Sequence, residues 1–315
     1  MADLQDFDSL TRRNVLSAGA GLATLGIAGC VSEGGDSNPD GLTSVTSSFF
    51  MLYDLARNVA GDGLSVEDLV PVGDHGDDWE PGPEIVEEIV EADAFVYIAG
   101  FRSWSDNVVE TIEEEGLNVT VVDAAAGIEY IEGEGGREED PHFWMDPPRA
   151  EEAVENIRDG FVAADPENES IYEENASTLV ERIDDVQEQY EEAMNERTKD
   201  LIVVGSHDSY QYWHNRYGFD IHSPVGISPD GEPTPQEMEE MTGLIEEYDL
   251  GYVLYDMYEP DDYARAIADE TGTELLPLSP IEATTQEQLE AGMGWVEHML
   301  EINLETLRKA LEVEE

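Results

Sequence analysis

The chain of 315 residues carries 75 acidic against 14 basic side chains, a formal net charge of −61, and 40% of its residues are hydrophobic. That length suggests two domains or one two-lobed body, and the hydrophobic share supports a packed core rather than wholesale disorder. The acidity runs along the whole chain, which excludes nucleic-acid binding, since that needs a basic footprint. It reads as the solvated surface of a halophile's protein, whose self-repulsion concentrated salt screens within a Debye length of roughly 3 Å at 1 M.

In chain order, the first feature is an export signal over residues 1–29. Thr11-Arg12-Arg13-Asn14-Val15-Leu16 resembles a twin-arginine motif, with Arg12 and Arg13 as the pair. A small-residue apolar run, Val15 to Ala28, follows and is too short to span a bilayer in the mature protein. It closes on Ile27-Ala28-Gly29-Cys30, which resembles a lipobox and makes Cys30 the expected lipid attachment site. Cys30 is the sole cysteine, so neither an internal disulfide nor a thiolate zinc site is available. Residues 30–41, rich in Gly, Ser, Asp and Pro, read as a flexible tether. The expected location is the outer face of the cytoplasmic membrane.

Residues 42–164 read as a first α/β lobe. Strands are expected at Thr43–Phe49, Asp68–Val72, Ala94–Ala99 and Val119–Val122, with helices at Phe50–Val59, Glu84–Glu91 and Trp104–Glu115 between them. This alternation predicts a parallel sheet covered by helices. Asp165-Pro166 supplies a helix start. Ile171, Ala176, Leu179, Ile183, Val186, Tyr190 and Ala193 then recur at three- and four-residue spacing. They predict one connecting helix over 165–199, roughly 30 residues and about 45 Å long. A coiled-coil dimer is the competing reading of that stripe, but it lasts only about three heptads, and a monomer is expected. Residues 200–315 read as a second α/β lobe, with strands at Leu201–Ser206, Gly251–Tyr255 and Leu275–Leu278 and a closing helix over Thr284–Leu311.

Ligands of open parallel sheets bind beyond the carboxyl ends of the strands, and the chemistry-bearing residues fall there. His75 and Asp77 follow the second strand, His207 follows Leu201–Ser206, Asp256 follows Gly251–Tyr255, and His142 lies in a loop before a helix. Three of the six histidines thus occupy such points. His207 and Asp256 also suit helix capping, and His142 a packed loop. His214, His222 and His298 read as structural. Ser206, His207 and Asp208 form no catalytic triad, since adjacent residues at a strand end do not face one another. No nucleophile elbow, phosphate loop or zincin helix occurs.

Three segments carry a family resemblance. Pro71-Val72-Gly73 with Trp79-Glu80-Pro81 and Pro83 looks like the first ligand loop of the zinc- and manganese-binding receptors of metal ABC transporters (ZnuA/TroA-like, here of a haloarchaeal type). Asp140-Pro141-His142-Phe143-Trp144-Met145-Asp146-Pro147 is similar to the second loop of that family. Val204-Gly205-Ser206-His207-Asp208-Ser209-Tyr210, with Arg216-Tyr217-Gly218 and Ile227-Ser228-Pro229, resembles its third.

The resemblance implies two lobes about a rigid helix, a metal ion held between them, no catalysis, and a membrane permease as docking partner. His142 and His207 match family histidines, and Asp256 takes the place of an acidic ligand. The first-loop position falls on Asp77, with His75 two residues earlier, and the last acidic position falls on Ser279. With Asp77 the donor set leans towards Mn²⁺, with His75 towards Zn²⁺. The alternatives are a receptor of the same build for an iron-chelate or corrinoid, and a metal-activated hydrolase with Glu80 or Asp208 as general base.

Overall fold

A computed structural model describes residues 41–74, 79, 81–82, 84–133, 139–227 and 231–314. The expected signal residues Arg12 and Arg13, the expected attachment site Cys30, and both His75 and Asp77 lie outside the described residues.

The first half is built on a parallel sheet of β1 (Ser44–Ser47), β2 (Ser65–Asp68), β3 (Ala94–Tyr97) and β4 (Thr120–Asp123), in the order β2-β1-β3-β4. Helices α1 (Phe50–Ala60), α2 (Ile85–Glu91) and α3 (Ser103–Glu115) alternate with these strands. β3 explains the arrangement, because it is apolar at every position and buried on both faces. Ala94 and Val96 join the main core with α1, whereas Phe95 and Tyr97 pack with Ile85, Ile89, Val108 and Ile112 of α2 and α3. Helix α4 (Pro147–Ala164) closes the main-core face.

β2 ends four residues earlier than the apolar run Leu69–Val72 suggests. The Asp68 carboxylate accepts the Val70 amide at 3.1 Å and turns the chain, and Pro71 has no amide to extend an edge strand.

Helix α5 (Glu169–Asn195) spans 27 residues, about 40 Å at 1.5 Å per residue. Its buried stripe is Tyr172, Ala176, Leu179, Ile183, Val186, Tyr190, Ala193 and Met194. Tyr172 replaces the expected Ile171, which is exposed, because the Tyr172 hydroxyl reaches the buried Asp165 carboxylate at 2.9 Å.

Beyond α5 lie β5 (Leu201–Val203), α6 (Gln211–Tyr217), β6 (Asp220–His222), α7 (Pro235–Tyr248), β7 (Tyr252–Asp256), α8 (Asp262–Thr271) and β8 (Glu274–Leu278). β5 pairs with β6 and β7 with β8, all parallel, and a Val204–Leu254 bridge joins the two pairs. Again the faces divide. Leu201, Val203 and Val253 pack with α7 and α8, while Ile202, Val204 and Leu254 join the main core. That core is therefore continuous from one half to the other, and the described residues from 41 onward form one compact unit.

The closing segment is not one helix. α9 (Gln286–Ala291) stops at Gly292, which adopts φ 76°. The chain restarts as α10 (Trp295–Glu297), widens into a π-helical turn over His298–Leu304, and ends as α11 (Glu305–Ala310). The Asp54 carboxylate from α1 takes the Trp295 amide at 2.7 Å and fixes that restart. Among the described residues no helix is long and apolar enough to cross a membrane.

Candidate metal centre

His207 is delivered by β5 through Val204, Gly205 and Ser206. Gly205 is required there, since a Cβ would run into the Ala264 backbone of α8. The Gly205 amide donates to Leu254 at 2.7 Å and the Ser206 hydroxyl accepts the Asp256 amide at 3.0 Å. These bonds seat the strand ends side by side.

His142 lies in a loop that donors from elsewhere hold by its carbonyls. Tyr212 Oη donates to Asp140 O at 2.8 Å, Trp213 Nε1 to Met145 O at 2.9 Å and Trp295 Nε1 to Trp144 O at 2.9 Å. Trp144 Nε1 in turn donates to Pro280 O at 2.8 Å. Asp146, at the end of the loop, is buried and receives both Arg149 and Arg216, the latter from α6 at 2.9 Å through Nη2.

Both histidines have Nδ1 turned to a carboxylate. His142 Nδ1 lies 2.7 Å from Asp140 Oδ1, and His207 Nδ1 lies 2.8 Å from Glu259 Oε1. A carboxylate behind Nδ1 fixes the ring and leaves Nε2 for a metal. Each Nε2 faces the same atom, Glu282 Oε1, at 3.4 Å from His142 and 4.0 Å from His207. The three donors lie within 4.8 Å of one another and are buried, with Glu282 at 0% exposure. Tetrahedral zinc with bonds near 2.1 Å separates its donors by about 3.4 Å. The second Glu282 oxygen lies 3.4 Å from Arg102 Nη2. The Ser209 hydroxyl sits 2.6 Å from His207 Nε2 and would have to turn away for that nitrogen to bind a metal.

Electrostatics favours protonated rings without a cation. Burial alone would lower His142, but the Asp140 and Glu282 carboxylates outweigh it and raise its pKa to about 10. His207 is raised in the same way, burial being overcome by Glu259, Glu282 and Asp256. A divalent cation at this point would therefore replace protons between carboxylates.

Asp256, the last residue of β7, stands in a second group with His207 and Glu259, and its Oδ1 accepts the Tyr258 amide at 2.8 Å. Ser279 is not in either group. Its hydroxyl lies 2.7 Å from His298 Nδ1, and Glu282, three residues on, takes the place at the site. The sequence reading missed Glu282. His298, expected as an ordinary helix residue, is fully buried in the π-helical turn. His214 and His222 join neither donor group. The loop of His75 and Asp77 lies outside the described residues. Just before it, the Gly73 amide donates to the carbonyl of Thr284, two residues beyond Glu282, at 3.0 Å.

Two parallel α/β halves about one long helix, with histidines and a carboxylate meeting at the loops beyond the strands, define a solute-binding protein of the rigid-helix class. The chain belongs to the family described as the periplasmic zinc-uptake complex component A, whose profile matches residues 45–310. It is similar to the zinc-binding lipoprotein AdcA of Streptococcus pneumoniae (strain ATCC BAA-255 / R6), with 27% identity over 309 residues, covering 94% of this chain and 60% of that protein. It is also similar to the high-affinity zinc uptake system protein ZnuA of Bacillus subtilis (strain 168), with 26% identity over 290 residues, covering 88% of this chain and 89% of that protein. The chain thus spans about 60% of the length of AdcA. Among solved structures, Zn(II)-bound AdcA from S. pneumoniae matches with a TM-score of 0.75 and 28% identity, covering 87% of this chain and 58% of that one. A mutant of the laminin-binding adhesin Lmb from Streptococcus agalactiae matches with a TM-score of 0.77 and 26% identity, covering 86% and 100%.

Proposed function

We propose that the protein is an extracytoplasmic receptor that captures Zn²⁺ and delivers it to an ABC importer, without turnover. The observation that carries this reading is the convergence of His142 Nε2, His207 Nε2 and Glu282 Oε1 in a buried cluster. Its donors lie within 4.8 Å of one another, a grouping that suits one bare ion better than an iron-chelate or corrinoid. Two imidazoles with one carboxylate suit zinc, and His75 as a fourth donor would suit it further. Asp77 in that role would shift the balance towards Mn²⁺. Asp256, grouped with His207 and Glu259, is kept as a further candidate ligand beside these donors.

The lobes are taken as residues 42–164 and 200–315, with 165–199 as the connector. The mature chain is a monomer tethered through Cys30 after export by the Arg12-Arg13 signal, and its acidic surface is suited to concentrated salt. Relatives named as zinc-binding lipoproteins and zinc uptake proteins support this reading.

The test is metal content and competition on the soluble chain beginning after Cys30, purified in about molar salt so that its charges are screened. One equivalent of zinc that outcompetes manganese, and is lost in His142→Ala and His207→Ala, is the expected result. No stoichiometric metal after titration would refute the reading.

A further inference from the structure

Glu282 is presented by a backbone in an unfavourable conformation. Ile281, immediately before it, is fully buried and has φ 64°. A β-branched residue in the left-handed region is a genuine outlier, costs free energy and persists only where its surroundings over-determine it. The surroundings here are specific. The Ile281 amide donates to Ser279 Oγ at 3.2 Å, and that hydroxyl lies 2.7 Å from His298 Nδ1. Asn303 holds the same residue by its backbone, its Oδ1 accepting the Ser279 amide at 2.8 Å and its Nδ2 donating to the Ser279 carbonyl at 2.9 Å.

His298 and Asn303 both belong to the π-helical turn. Such single wide turns disrupt regular helix packing and recur at functional sites. Ser279, His298 and Asn303 are all fully buried, and none belongs to either donor group.

We propose that Ser279, His298 and Asn303 are positioning residues that lock the strained Ile281 and so aim Glu282 at the metal. The proposal rests on the reading of His142, His207 and Glu282 as zinc ligands. The π-helical turn is the device that brings both clamp residues to one serine.

The experiment compares zinc competition titrations, and the rise in melting temperature on adding zinc, for the wild-type chain and Ser279→Ala, Ser279→Thr, Asn303→Ala and Glu282→Ala. Ser279→Ala and Asn303→Ala are expected to weaken zinc roughly tenfold to a hundredfold, the range for residues that orient a ligand. Ser279→Thr, which keeps the hydroxyl, stays within about threefold of wild type. A purely structural role would lower the metal-free melting temperature and leave the zinc-induced rise unchanged, since that rise reports affinity for the folded state. The idea is overturned if Ser279→Ala and Asn303→Ala bind zinc as wild type does while Glu282→Ala does not. Wild-type affinity in Glu282→Ala would instead remove the zinc-site reading, and the proposal with it.

Discussion

Metal capture should compete with a proton on His142. The ring is buried between Asp140 and Glu282, whose charges raise its pKa to about 10. At pH 7 a ligand nitrogen must therefore be freed from a proton held three pH units too tightly. At 1.36 kcal/mol per unit this opposes binding by about 4 kcal/mol, roughly a thousandfold in apparent affinity. The sign follows from linkage. Below about pH 10 the metal-free site binds the proton and the loaded site does not, so apparent zinc affinity rises by at least about tenfold per pH unit from pH 6 to 8. The metal-free fold behaves oppositely. The contribution of His142 is fully present below the unfolded value of 6.5 and is lost as pH rises through about 10. The assay is calorimetric titration of zinc in buffers of different ionisation enthalpy. At least one proton released per zinc at pH 7 is expected, with more if His207, also raised, is charged. Heats independent of buffer, with affinity flat from pH 6 to 8, would refute the account.

Three further outcomes follow from the geometry. Glu282→Gln keeps the shape but removes the charge shared by both histidines and Arg102, and should weaken zinc by at least roughly the hundredfold upper end for orienting residues, read by chelator competition. Gly205→Ala forces a methyl into the Ala264 backbone; destabilisation of about 1–3 kcal/mol is expected from denaturant unfolding, with weaker zinc binding as the His207 loop shifts. Arg216→Met leaves the buried Asp146 carboxylate with Arg149 alone and should lower stability by about 3 kcal/mol, measured by the unfolding midpoint in about molar salt.

What the sequence made legible divides by physical cause. Helix α5 was readable because its stripe repeats at three and four residues, and β3 because an unbroken apolar run of strand length has few other uses. The fragmented C-terminus was not, since one helix was expected over Thr284–Leu311, across Gly292 and Gly294, and a π-helical turn leaves no mark in hydrophobic periodicity. His142 and His207 stood out as histidines in a chain with six. Glu282 was hidden among 75 acidic residues, most of which serve the surface. One signal was available: from Leu275 to Thr284 it is the single acidic residue, in a stretch otherwise apolar, hydroxylic or Pro. In so acidic a protein, a lone carboxylate inside an apolar run is the unusual one.

That contrast also explains how one chain can carry a net charge of −61 and still hold a selective anionic site. Surface carboxylates meet solvent and salt, which screen them. The Asp140 and Glu282 carboxylates are fully buried, where screening is weak and a charge must be paired. Their partners are His142, His207 and Arg102, fixed by loops that the continuous core and the indole and phenol donors hold in place. The three donors lie within 4.8 Å of one another, and the Ser209 hydroxyl on His207 Nε2 is a group that would have to yield to a cation. On the proposed reading, ion recognition rests with the buried carboxylates and histidines, while the acidic exterior suits the protein to concentrated salt.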